Sequence, residues 1–129
     1  MATKYLIDTN VFLEILLNQE KKELCKKCLT DRFGEIAISD FSLHSVGVIL
    51  FRNKKFELFN SFVNDVLSQI EILTLRNKQY LEISQIAKKF NLDFDDAYQV
   101  TIASVRNLII ITMDKDFEKV GDFYKIEFI

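Results

Sequence analysis

The chain has 129 residues, a net charge of −2, 49% hydrophobic and 28% charged residues, the size and balance of one globular domain that needs no disulfide or structural metal to fold. That charge excludes an overall basic signal for nucleic acid, although the distribution of charge matters more than its sum. No apolar stretch approaches the roughly 20 residues of a membrane span and Asp8 interrupts the apolar start too early for a signal peptide, so the expectation is a cytoplasmic protein without membrane contact.

Tyr5-Leu6-Ile7 is a short apolar run with β-favouring members, and it delivers Asp8 to its carboxyl tip. Helical spacing begins at once. Val11, Phe12, Ile15 and Leu16 predict a short helix over Val11–Asn18. Gln19–Arg32 reads as a second, with Leu24, Cys28 and Leu29 on one face and Lys21, Lys22, Lys26 and Lys27 largely off it. Those lysines read as a solvated face, with a phosphate-contacting patch as the sharper alternative. Cys25 and Cys28 form a C-x-x-C within this helix, but no second pair and no nearby His completes a zinc site. Both read as ordinary reduced thiols.

Gly34 breaks the second helix, and Ile36-Ala37-Ile38 is a second buried strand. Ser39 or Asp40 caps a helix over Phe41–Phe51, and Arg52-Asn53-Lys54-Lys55 forms a basic turn. Phe56, Phe59, Phe62, Val63, Val66 and Leu67 recur at helical spacing and make a fourth helix. With 12 Phe against no Trp and no Pro, this stripe is either core or one wall of a protein-partner groove in a projecting helical hairpin. Ile70–Leu75 is a third strand. Asn77–Phe90 is a helix closed by a left-handed Asn91, and Asp93–Asn107 is the next helix. Leu108–Thr112 is the most β-like run, Asp114–Val120 is a short helical turn, and Tyr124–Ile129 is the last strand. Strands alternating with helices predict an α/β domain built on a parallel sheet with helices on both faces.

On one edge of such a sheet stand Asp8, just after the first strand, and Asp114, two residues beyond the fourth. Asp96 lies in the first turn of the Asp93 helix, which starts near that edge. Each acid has a bland reading as a helix cap or a first-turn acid. Together they would repel one another unless a cation intervened, and carboxylates without His or Cys suit Mg²⁺ or Mn²⁺.

Leu6-Ile7-Asp8-Thr9-Asn10-Val11-Phe12, Asp95-Asp96-Ala97 and Ile111-Thr112-Met113-Asp114-Lys115-Asp116-Phe117 resemble the motifs of PIN-domain ribonucleases, especially small toxins of the VapC type. The resemblance spans essentially the whole chain and implies one PIN-like domain over residues 1–129. It implies a three-layer α/β/α sandwich around a parallel five-stranded sheet, and a metal-dependent endoribonuclease that hydrolyses RNA with a metal-activated water. It also implies an antitoxin protein as partner, and often a homodimer. Asp8, Asp96 and Asp114 match the family's metal-binding acids, Asp116 an assisting position, and Thr112 the hydroxyl beside the site; Asn10 and Asp95 are accessory candidates.

One position departs from the pattern. The family's helix after the second strand usually carries a Glu, where Ile38-Ser39-Asp40-Phe41-Ser42-Leu43-His44-Ser45 places Ser45. Asp40, upstream on the same helix, and His44, the only His, are the candidate substitutes. Arg52, Lys54 and Lys55 are candidates for guiding an RNA backbone on charge alone. The alternative to an active nuclease is a degenerate PIN module that binds RNA or protein without cutting. A phosphoryl-transfer enzyme with an aspartyl nucleophile ranks below both, since Asn10 stands where a haloacid-dehalogenase-type site wants a second Asp, and no acid pair follows the first strand.

Overall fold

Strand β1 (Tyr5–Ile7) carries Leu6 and Ile7 fully out of solvent and is paired along both sides. In the computed structural model, which describes residues 2–129, β1 lies between β2 (Ile36–Ser39) and β4 (Ile109–Thr112). Strands β3 (Glu71–Leu73) and β5 (Ile126–Phe128) form the edges. The sheet is five-stranded and all parallel, in the order β3-β2-β1-β4-β5, as the alternating pattern predicts. Among the described residues, no helix is long and apolar enough to cross a membrane.

Side chains on successive strand residues point to opposite faces, and the strands use both. Leu6, Ala37 and Ile110 enter one core with Ile83 of α5 (Tyr80–Phe90) and Ala97, Val100 and Ile102 of α6 (Phe94–Arg106). Ile7, Ile36, Ile38 and Ile111 enter the other. There they meet Val11 and Phe12 of α1 (Thr9–Leu16), Cys25 and Leu29 of α2 (Lys22–Asp31), Val46 and Leu50 of α3 (Asp40–Arg52), and Phe62 of α4 (Phe56–Asp65). Sheet and helices therefore form three layers. The two cysteines are free and buried in the second core, consistent with thiols used as small apolar side chains.

Several boundaries differ from the expected ones for local reasons. Asn18 adopts the left-handed conformation (φ 55°), and the Glu14 carboxylate accepts the Lys21 N–H at 2.7 Å, so α2 begins at Lys22 rather than Gln19. Ser39, not Asp40, caps α3, its hydroxyl accepting from Ser42 N–H at 3.0 Å. The expected third strand shrinks to Glu71–Leu73, because β3 is an edge with a partner on one side only. Residues Asn77–Gln79 form a single tighter 3₁₀ turn before α5, and Lys115–Val120 is a longer 3₁₀ segment. Asn91 closes α5 at φ 55°, as expected, and Asn107 closes α6 at φ 54°.

The phenylalanine stripe divides between core and surface. Phe62 is 3% exposed and meets Phe12 edge-on at 5.5 Å, whereas Phe51, 50% exposed, meets only Phe56 and Phe59 of the α3–α4 hairpin among aromatic rings. Truncating a buried Phe removes its transfer free energy and leaves a cavity. Phe62→Ala is expected to cost about 3–5 kcal/mol in urea unfolding, against about 1 kcal/mol for Phe51→Ala; equal losses would contradict this partition.

Candidate metal centre

The strand order reverses between β1 and β4, and the carboxyl ends of strands at such a switch point are where open α/β sheets form ligand crevices. Asp8 follows β1 directly, Asp114 follows β4 by two residues, and Asp96 stands in the first turn of α6. All three line one cavity of about 280 Å³. Phe41, Leu13 and Ile49 give it an apolar wall, and Asn10, Ser45 and Asp95 also reach it. One carboxylate oxygen from each of Asp96, Asp114 and Asp116 lies within 4.8 Å of the other two.

Asp8 and Asp114 also cap, and Asp96 is a first-turn acid whose own N–H is capped by Asp93, as the bland readings require. Asp8 Oδ1 accepts from Thr9 N–H at 2.9 Å, Asp93 Oδ1 from Asp96 N–H at 3.0 Å, and Asp114 Oδ1 from Asp116 N–H at 2.9 Å. Capping does not use up the carboxylates. Burial and the neighbouring charges of Asp93, Asp114, Asp8 and Asp116 push Asp96 from the ordinary 3.8 up to about 7. Asp8 is also raised, chiefly by burial, against the opposing effect of its hydrogen bonds from Thr112, Gln99 and Thr9. Asp95 is raised more simply, by burial and then the Asp93 charge. These directions are those of oxygen ligands crowded together with their charge uncompensated.

Around Asp8 runs a buried polar network that links three elements. Thr112 Oγ donates to Asp8 Oδ2 at 2.7 Å and accepts the Asp114 N–H at 2.9 Å. Since an N–H can only donate, the single hydroxyl proton of Thr112 goes to Asp8. Gln99 Nε2 donates to Asp8 Oδ1 at 3.1 Å and to Ser42 Oγ at 2.8 Å, and Ser42 Oγ also accepts from Thr9 Oγ at 2.8 Å. Asn10 Oδ1 accepts the Met113 N–H at 3.3 Å and so ties α1 to the turn after β4. Sequence reasoning missed Gln99 and Ser42. The signal was present: Gln99 is a long polar residue inside Ala97–Ala103, a run that is buried throughout.

The structure does not bring every expected residue into the site. Residues four apart share a helix face, and Phe41, Ser45 and Ile49 are the α3 residues that face the acids. Asp40 and His44, also four apart, turn to another cavity, so neither takes the place left by the expected Glu. Asp40 Oδ1 accepts from the Phe41 N–H and from the Tyr98 hydroxyl. Arg52, Lys54 and Lys55 lie exposed at the other end of α3, about 18 Å along the axis from Asp40 at 1.5 Å per residue, and do not line the acid cavity.

Two outcomes follow. Between 3.8 and about 7 the folded chain holds a proton on Asp96 that the unfolded chain has released, so raising pH through that window lowers stability. In EDTA the thermal midpoint is expected to fall from about pH 5 to about pH 7, and Asp96→Asn to flatten the fall; a variant that falls as steeply as the parent would contradict it. Gln99→Leu strips a donor from a buried carboxylate and is expected to cost about 1–3 kcal/mol, more at high pH than at low. A pH-independent cost would show that Gln99 only fills space.

The fold has known counterparts. Comparison with curated protein sequences gives no match. Among solved structures, DNA-bound VapBC from Salmonella typhimurium superposes with a TM-score of 0.81 at 20% identity, covering 98% of both chains. A toxin–antitoxin complex from Klebsiella pneumoniae gives 0.74 at 23% identity, covering 88% of this chain and 90% of the other. VapC20 of Mycobacterium tuberculosis, described as a sarcin–ricin-loop-cleaving toxin, gives 0.78 at 11% identity over 92% and 95%. At these identities the likeness is one of fold. The family model of the PIN domain matches residues 5–122, which contain the whole acid cavity, and the chain belongs to the PIN domain family.

Proposed function

We propose that this chain is a Mg²⁺- or Mn²⁺-dependent endoribonuclease of the toxin type. The observation that carries the reading is the convergence of Asp8, Asp96 and Asp114 on one cavity at the β1/β4 switch point, with Asp96 held up to about 7. Oxygen donors without His or Cys suit a hard divalent cation, and its charge would relieve their repulsion. Asp8, Asp96 and Asp114 would hold the ion, with Asp116 close enough to assist. Once bound, such an ion supplies Lewis acidity toward a phosphodiester and lowers the pKa of water. The chain's own part is to fix the donors. Thr112 and Gln99 aim both oxygens of Asp8, and the Thr112 hydroxyl sets the position of the Asp114 backbone. Membership of the PIN domain family and the fold shared with an RNA-cleaving toxin support RNA as the substrate.

The fold shared with toxin–antitoxin complexes supports an antitoxin as the partner. Between α3 and α4 lies a mostly apolar groove of about 390 Å³, lined by Leu43, His44, Gly47, Val48, Phe51 and Phe59, in which an amphipathic antitoxin segment would seat. A second reading, a PIN module that binds without cutting, is favoured by one observation: Ser45 faces the acids where the resemblance leads one to expect Glu, and no acid of α3 lines the cavity.

Cleavage of RNA by the purified protein with Mn²⁺ or Mg²⁺ separates the two. The nuclease reading expects EDTA to stop cleavage and Asp8→Asn to lower it by about 100-fold or more; cleavage that survives both would sink it. Ser45→Glu is expected to tighten metal binding, seen by calorimetry. If the parent neither binds a divalent cation nor cleaves, while Ser45→Glu does both, the non-cutting module is the correct reading.

A further inference from the structure

A second cavity, of about 460 Å³, opens beside the acid cavity and shares Phe41 with it as a wall. Asp40, His44, Tyr80, Phe94 and Tyr98 complete its lining. Its base is aromatic. Phe41, Tyr80 and Phe94 surround the buried ring of Tyr98 at centroid distances of 5.9, 5.9 and 6.0 Å. Tyr98 is pinned from below by the bond from its hydroxyl to Asp40 Oδ1. The outer rings stay open, Phe94 being 56% and Tyr80 43% exposed. Phe94 immediately precedes Asp95 and Asp96 in the first turn of α6, so one turn of helix supplies both cavities.

The chemistry of this cavity selects among occupants. Asp40 Oδ1 already accepts twice, from Phe41 N–H and Tyr98, whereas Oδ2 carries no hydrogen bond among the described residues. An apolar peptide or a second aromatic face laid over the rings would cover that oxygen without a donor, which is costly. A nucleobase offers a flat ring for stacking and N–H groups along its edge, and unpaired bases of RNA are bound by proteins in that way.

We propose that this cavity receives one unpaired nucleobase of the substrate strand, adjacent to the phosphodiester that lies over the acids. Tyr80 and Phe94 are its stacking faces, and Asp40 Oδ2 accepts an N–H from its edge. The identity of the strand rests on the ribonuclease reading above.

The test is equilibrium binding of a labelled single-stranded RNA decamer to the full chain in EDTA at low salt, where no cleavage intervenes. Tyr80→Ala and Phe94→Ala are each expected to weaken binding on the order of tenfold, with Phe94→Trp restoring it. A single 2-aminopurine walked along the decamer is expected to be quenched at one position, and an abasic residue at that position to bind parent and Phe94→Ala alike. Both rings are surface residues, and an unchanged thermal midpoint shows that the variants fold. Equal affinity of parent and variants overturns the proposal. So does loss of a protein dimer on sedimentation with RNA affinity per protomer unchanged, which would give the aromatic face to a second copy of the chain. Ring-dependent binding without Mn²⁺-supported cleavage would remove the nuclease reading and leave the base site standing; cleavage without ring dependence would do the reverse.

Discussion

The carboxylate of Asp8 is removed from water at the end of a strand whose Leu6 and Ile7 are fully buried, and the arrangement of the site follows from how that is tolerated. A buried carboxylate is costly unless donors surround it. Here the donors are the Thr9 N–H, the Gln99 amide and the Thr112 hydroxyl, which belong to α1, α6 and β4. One side chain therefore couples three elements that meet only through the tertiary fold. Thr112 passes the constraint on, since the oxygen that gives its proton to Asp8 also holds the Asp114 backbone N–H. Even with these bonds, burial dominates and Asp8 stays raised. The acid cavity is thus built with its charge unbalanced, which is the physical basis for reading it as a place for a cation.

Helix α3 is the other organising element, because its faces serve different surfaces. Ser42, Val46 and Leu50 are buried, Val46 and Leu50 in the core they share with the sheet. Phe41, Ser45 and Ile49 look onto the acids. Asp40 looks onto the aromatic cavity, Leu43, Gly47 and Val48 onto the groove shared with α4, and His44 onto both. Successive helix residues point about 100° apart, and here His44 and Ser45 present their side chains to different surfaces. That is why residues adjacent in sequence to Ser45 do not stand in for the expected Glu, and why His44, the only histidine, faces away from the acids. The same geometry sets the aromatic cavity next to the acid cavity, with Phe41 between them.

Much of this architecture was legible in the chain because it depends on local regularities. The runs Leu6-Ile7, Ile36–Ile38 and Ile109–Ile111 are too short and too apolar to be anything but buried strands, and their alternation with helical spacing forces parallel pairing. Asn91 was readable as a left-handed cap for the same local reason. Some of the boundaries that moved were decided by single side chains reaching across a turn, such as Glu14 at the start of α2, and the third strand by its edge position. Spacing patterns do not report contacts of that kind.

By itself, then, the sequence determined the strand-and-helix order, and it determined that Asp8 and Asp114 stand on one edge, since both lie within two residues of the carboxyl ends of strands of a parallel sheet. Only the tertiary structure decided which groups meet them there. Gln99 reaches Asp8 across 91 positions of chain and Thr112 across 104, and no local period encodes such distances. The tertiary structure also decided that Ser45 rather than Asp40 or His44 faces the acids, because the rotation of α3 is set by the packing of Val46 and Leu50 beneath it. A side chain's type is written in the sequence, but its surroundings, and with them its charge and its partners, are a property of the fold.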